Sequence, residues 1–209
     1  MADPSLAEVF RRAQVLLEAA LRRLEQRATG GDEAVARRLA LLEPEPVASL
    51  LRLTGEGGGE LRLVASREAL RLQAQAAAPG FGYALELSLH AARYALDEAE
   101  RDAAVMDLIA LGLTALGSRA ARELFTQTRF AFELELTGVP DLGTLVLKCG
   151  LGRTAIERPE FKLSLGHDDL LDARDEGLAP HQLFMAGKMR IDGDVAKSMV
   201  LAMTLAQLE

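Results

Sequence analysis

Val9, Leu16, Leu17, Leu21 and Leu24 recur at helical intervals, the spacing that gathers side chains on one face. Arg11, Arg12, Arg22 and Arg23 fall between them and make the wet face. Ser5-Leu-Ala-Glu8 reads as a capping box, Ser5 accepting from the helix and Glu8 reaching back. The helix is predicted to run to about Ala28, where Thr29-Gly30-Gly31 stops it. A second helix is predicted from Asp32 to Leu42, ahead of Glu43-Pro-Glu-Pro46.

The period then changes from helical to two. Leu51–Thr54, Leu61–Val64, Ala69–Ala74 and Tyr83–Leu89 alternate apolar and polar residues, as strands with one buried face do. Gly55-Glu-Gly-Gly-Gly59 is the turn between the first two. The pattern from Ala91 to Thr126 is helical, with Gly112 and Gly117 as its weak points. Phe130-Ala-Phe-Glu-Leu-Glu-Leu136 is the clearest strand, Glu133 and Glu135 facing away from the apolar side. Further strands are predicted at Thr144–Lys148, Gly152–Glu157, Phe161–Leu165 and Lys188–Ile191. Short helices are predicted from Asp169, capped by Asp168, to Glu176, and from Pro180 to Ala186. Asp194 caps a last helix to Leu208.

The two strand regions echo one another. Leu51-Arg-Leu-Thr-Gly55 matches Leu134-Glu-Leu-Thr-Gly138, Leu61-Arg-Leu63 matches Leu145-Val-Leu147, and Leu87-Ser-Leu89 matches Leu163-Ser-Leu165, in the same order. Two copies of one α+β unit are expected, divided as residues 1–97 and 98–209, the first copy degenerate. An offset this long is a domain duplication, not a solenoid repeat.

Charge narrows the partners. With 24 Lys and Arg against 31 Asp and Glu, the net charge is −7. That argues against nucleic acid, which needs a Lys/Arg-rich surface. Apolar residues make up 49% of the chain, enough for a sizeable core. No run approaches the roughly 20 apolar residues of a membrane span. The start, Met1-Ala-Asp-Pro4, lacks the basic region of a signal peptide. Cys149 is the sole cysteine, which suits a reducing compartment. A cytoplasmic protein with no integral membrane span is expected.

Catalytic chemistry finds no support. His90, His167 and His181 lack metal-ligand spacing. There is no Gly-x-Ser-x-Gly elbow, and Gly57-Gly-Gly59 lies between two strands, flanked by Glu56 and Glu60. Arg153, Arg158 and Lys188 read as solvated surface charges that a lipid headgroup would also suit. No cofactor, no metal and no enzymatic activity are expected.

The closing stretch is the informative one. Pro180-His-Gln-Leu-Phe-Met-Ala-Gly-Lys-Met-Arg-Ile-Asp-Gly-Asp194, followed by a Met/Leu-rich helix, resembles the end of the sterol carrier protein (nonspecific lipid-transfer) family. The Pro, aromatic, Gly-Lys, short strand, Gly and polar cap of that family fall on Pro180, Phe184, Gly187, Lys188, Met189–Ile191, Gly193 and Asp194. Phe161-Lys-Leu-Ser-Leu-Gly-His-Asp-Asp-Leu-Leu171 is similar to the family's strand leading into a short helix. The likeness covers Ala99 to Glu209. The chain departs from the family in having no Trp and in carrying an N-terminal extension.

The resemblance implies an α+β fold, a curved and mostly antiparallel sheet covered by helices around an apolar tunnel. It implies binding or transfer of fatty acids, acyl-CoAs, sterols or other isoprenoids without chemistry. On this reading the lining is Phe130, Phe132, Leu134, Leu145, Leu147, Phe161, Leu163, Leu183, Phe184, Met185, Met189, Val195, Met199, Ala202 and Met203. Flexible thioethers suit varied apolar ligands. The alternative is an assembly or dimerisation module with a collapsed cavity, whose partner is a second copy or an enzyme.

Overall fold

The structure, a computed structural model, describes residues 6–40, 47–65, 70–74, 83–116, 118–152, 156, 158–176 and 180–206. Two helices come first, α1 (Leu6–Thr29) and α2 (Glu33–Ala40). The strands β1 (Val47–Thr54), β2 (Gly59–Ala65), β3 (Leu70–Ala74) and β4 (Tyr83–Ser88) follow. Three helices, α3 (Leu89–Arg101), α4 (Ala103–Leu116) and α5 (Arg119–Gln127), lead to β5 (Phe130–Val139), β6 (Gly143–Leu151) and β7 (Phe161–Gly166). The chain ends with α6 (His167–Glu176), α7 (Pro180–Met185), β8 (Met189–Gly193) and α8 (Val195–Ala206).

The described strands form one sheet in the order β3-β2-β1-β4-β6-β5-β7-β8. Only β1 with β4 and β5 with β7 run parallel; the other five pairings are antiparallel. The α+β class and the mostly antiparallel sheet that the resemblance implies are what the chain adopts. The same plan occurs on each side of the centre. The hairpin β1–β2 has β4 parallel to its first strand, and the hairpin β5–β6 has β7 parallel to its first strand. Against β6, β4 takes the antiparallel place that β3 takes against β2. The boundary drawn at 97/98 falls inside α3, and the pairing of β4 with β6 carries the sheet across it.

Register makes the two faces different. On one, Leu53, Leu87, Leu147, Leu134, Leu163 and Ile191 stand side by side across β1, β4, β6, β5, β7 and β8. On the other, Glu60, Arg52, Glu86, Lys148, Glu133, Lys162 and Asp192 alternate in sign across seven strands. Opposite charges directly across strands favour a register, and a slip of one residue would bury the charges. Burial raises the Glu86 carboxyl, but Lys148 at 3.1 Å and Arg52 at 3.2 Å outweigh it and leave it below the ordinary carboxylate value.

Helices lie on the leucine face. Over the first half, Val9, Leu17, Leu21 and Leu24 of α1 join Leu53, Leu61, Leu89, Leu96, Met106 and Leu113 in the largest core cluster. Arg12 pairs with Asp97 and Glu100, and Arg23 with Asp107, fixing α1 to α3 and α4. Over the second half, Phe125 of α5 meets Tyr83 and Phe130 edge-on, with ring centroids 5.9 and 6.5 Å apart.

Several local expectations differ from the structure. One break in the long helical region comes at Asp102, whose carboxylate accepts from the Ala104 amide; α4 then runs through Gly112 to Leu116, and α5 starts at Arg119, capped by Ser118. Gly117 lies outside the described residues, as do Ser5, Leu41, Leu42, Ala69 and the 177–179 turn. No strand forms among the described residues of 152–157. Instead β6 continues to Leu151 and stops at Gly152, in the left-handed region at φ 72°. Asp168 and Asp169 lie in the first turn of α6, which begins at His167, where their charge favours the positive helix end without capping it.

Gly187 closes the turn after α7 at φ 69°. A β-branched residue is strained there whatever the space around it. Gly187→Val is expected to cost about 2 kcal/mol, read as a lower melting temperature. Unchanged stability would show that the turn relaxes to another conformation.

Candidate functional site: an apolar groove on the sheet

The leucine face is not evenly covered over the second half. At one end, Leu201 of α8 and Ala121 and Phe125 of α5 close over Phe130, Leu151 and Phe161. At the other, Ala173 of α6 and Leu183 of α7 close over Leu165, against which Leu136 and Met189 also pack. Between these lids lie Leu147, Leu134, Leu163 and Ile191, adjacent in register and each only half-buried. This strip, with helices closing over the sheet at both ends, is the candidate groove. Phe132 and Phe161, stacked with centroids 5.4 Å apart, bound it on the α8 side.

The position of α8 follows from its first turn. The Asp194 amide donates to the Glu160 carbonyl at 3.0 Å, and the Asp194 carboxylate accepts from the Lys197 amide, capping the helix as expected. Lys197 Nζ lies 3.2 Å from Glu160, the residue before β7. Ser198 and Leu201 are turned to the sheet. At 3.6 residues per turn, Val195, Met199, Ala202 and Met203 occupy the flank opposite Lys197. Their apolar surface is open: Met199 is 46% and Met203 67% exposed.

The structure therefore brings most of the predicted lining to one place, with differences in depth. Phe130, Phe161 and Leu183 are fully buried and act as packing. Phe132, Leu134, Leu145, Leu147, Leu163, Phe184, Met189 and Ala202 are half-buried. Val195, Met199 and Met203 were expected on the inner side of the last helix, and Met185 beside them. They are exposed, Met185 by 80%. The helix is apolar on nearly every side, so polarity does not set its rotation; the ties to Glu160 do. Leu136, Leu165, Ile191 and Leu201 were not singled out. Strand alternation points to the first three, and nothing in the pattern points to Leu201.

Cys149 pairs in register with Phe132 and Leu85 on the same face and is buried. Burial pushes its thiol up to about 12, so the nucleophilic thiolate is scarce at neutral pH. A disulfide reagent at about pH 8 is expected to leave the folded protein unmodified and to react at once after unfolding. Fast reaction of the folded protein would show that water reaches Cys149 through the groove.

Residues able to do chemistry do not converge here. His90 is exposed, and His167 Nδ1 lies 3.5 Å from the Asp168 carboxylate. Among the described residues, no three His, Cys, Asp or Glu side chains are placed to hold a metal ion. No helix among them is long and apolar enough to cross a membrane.

An apolar strip half-open between two helical lids lies beside the closing Gly-Lys motif. Residues 113–206 match the model of the SCP-2 sterol transfer family. The match covers less than half of the chain, and that stretch is similar to this family. The matched stretch runs from the end of α4 through α8 and includes Leu147, Leu134, Leu163 and Ile191. Sterol carrier protein 2 from Yarrowia lipolytica, in its apo form, is similar at 18% identity, over 42% of this chain and 74% of that one, with a TM-score of 0.31. No curated protein matches the chain.

Proposed function

We propose that this protein binds and carries apolar lipid-like molecules without chemistry, and that the groove over β6, β5, β7 and β8 is their seat. The observation that supports this most is the half-open row Leu147, Leu134, Leu163 and Ile191, within the stretch that matches the sterol transfer family. Binding sites for small molecules are mostly apolar with few polar groups, and such a strip left to water is unfavourable by roughly 25 cal/mol per Å². An elongated lipid would cover it, with Met199 and Met203 folding over the ligand from α8. Fatty acids, acyl-CoAs, sterols and other isoprenoids all have the required apolar length. The reading suits a soluble carrier working in the cytoplasm.

The first half is, on this reading, a degenerate copy of the same unit. Its hairpin and parallel strand repeat those of the second half, but its leucine face is filled by α1. One ligand per chain follows. Native mass spectrometry of freshly purified protein, with lipid extraction of the same sample, tests this. One bound apolar molecule per chain is expected. A bare mass, together with failure of fluorescent sterol and fatty-acyl probes to bind, would sink the carrier reading.

The exposed Met185, Met199 and Met203 also favour a second reading, an assembly module that covers this stripe with another copy or an enzyme. It requires association in solution. A monomer at all concentrations in light scattering removes the second-copy form.

A further inference from the structure

The charges around the groove separate two kinds of lipid. This step rests on the proposed groove as the binding seat. Its floor and flanks carry Leu147, Leu134, Leu163, Ile191, Phe132 and the apolar flank of α8. The described lysines and arginines on the framing elements are directed elsewhere or already engaged. Lys148, Lys162 and Arg190 alternate with the floor residues and so stand on the opposite face of the sheet, where Lys148 meets Glu86 and Lys162 meets Glu135. Lys197 is turned away to Glu160. Lys188, just after α7, lies 3.5 Å from Asp169 and 3.6 Å from Asp172. The wall formed by α6 thus presents two carboxylates for this one ammonium, with Asp168 fully exposed beside them. From 167 to 203 the chain has seven acidic and four basic residues, leaving −3.

We propose that the groove selects uncharged lipids, such as sterols, long-chain alcohols and esters, over fatty-acid anions and acyl-CoAs. An anionic headgroup beside α6 meets like charge, and Lys188, the described cation nearest that helix, is already engaged by Asp169 and Asp172. A carboxylate taken from water without a partner is strongly disfavoured. A neutral hydroxyl or ester is indifferent to the acidic wall and gains the same apolar contact.

The test compares ligands that differ only in charge. Parinaric acid and its methyl ester share one fluorescent chain; dehydroergosterol serves as a neutral sterol and palmitoyl-CoA as an anionic competitor. At about pH 8 the ester is expected to bind at least tenfold more tightly than the acid, and palmitoyl-CoA to displace dehydroergosterol poorly. The double variant Asp169→Asn/Asp172→Asn releases Lys188 and is expected to raise affinity for the acid about tenfold while leaving the ester unchanged. Acid binding as tight as ester binding in the unaltered protein overturns the selectivity. So does a double variant whose acid affinity does not move. If neither the ester nor dehydroergosterol binds, the carrier reading itself fails, and the selectivity falls with it.

Discussion

Leu134→Asp is expected to weaken binding of a neutral apolar probe such as dehydroergosterol by about 30-fold or more, equivalent to about 2 kcal/mol, while the protein stays folded. Leu134 sits mid-floor, flanked in register by Leu147 and Leu163, and is half-buried. A carboxylate there must lose water when a lipid arrives, and the floor offers it no partner. In the empty protein the same carboxylate keeps part of its hydration, so stability is expected to fall by only about 1–2 kcal/mol. Leu134→Met, close in volume, should bind normally. A closed core behaves differently: there the aspartate would unfold the protein before any probe was added. Calorimetry and probe titration of the same sample separate the two. Unchanged binding by a folded Leu134→Asp protein would remove the ligand from this strip.

The largest stability effect belongs to Gly152→Ala. Gly152 ends β6 at φ 72°, and a Cβ there would lie 1.9 Å from the Phe125 carbonyl oxygen of α5. The obstacle is backbone, so no side-chain rotation relieves it. Left-handed strain of about 1–2 kcal/mol adds to overpacking of about 1–3 kcal/mol. A fall in melting temperature of roughly 4–20 °C follows for a chain of this size. Gly138→Ala is the control. Gly138 has φ 73° but nothing within 4 Å of the added Cβ, so it should carry the strain alone and lose about half as much or less. Equal effects at the two sites would show that α5 yields to the methyl group.

How much of this was legible in the sequence depends on the kind of signal. Alternation is local, so the leucine strands, the charged face and the apolar side of Phe130–Leu136 could all be read. Asp194 as a cap could be read because capping needs only the next three residues. Strand partnership could not, because a period of two leaves every even shift equivalent. The sequence echo set Leu61 against Leu145, whereas the pairings Leu51 with Leu61 and Leu134 with Leu147 make Leu61 correspond to Leu147. The shift is two residues and leaves each side chain on its face. The rotation of α8 was hidden for another reason. Val195, Met199, Val200, Leu201 and Met203 surround the helix, and the buried side includes Ser198, whose hydroxyl donates to the Val195 carbonyl at 2.8 Å. Met199 and Met203, read as lining from their spacing and the resemblance, are instead exposed.

Within this sheet β4 has β1 along one side and β6 along the other. It is the seam by which the first half of the protein completes the second. A fragment cut at residue 98 would keep every groove residue yet carry β6 as a raw border, with the amides and carbonyls that face β4 unpaired. Bare strand borders recruit other chains. The N-terminal half is thus less an appendage than a hem: without it, the second half would be exposed to stacking with its own kind.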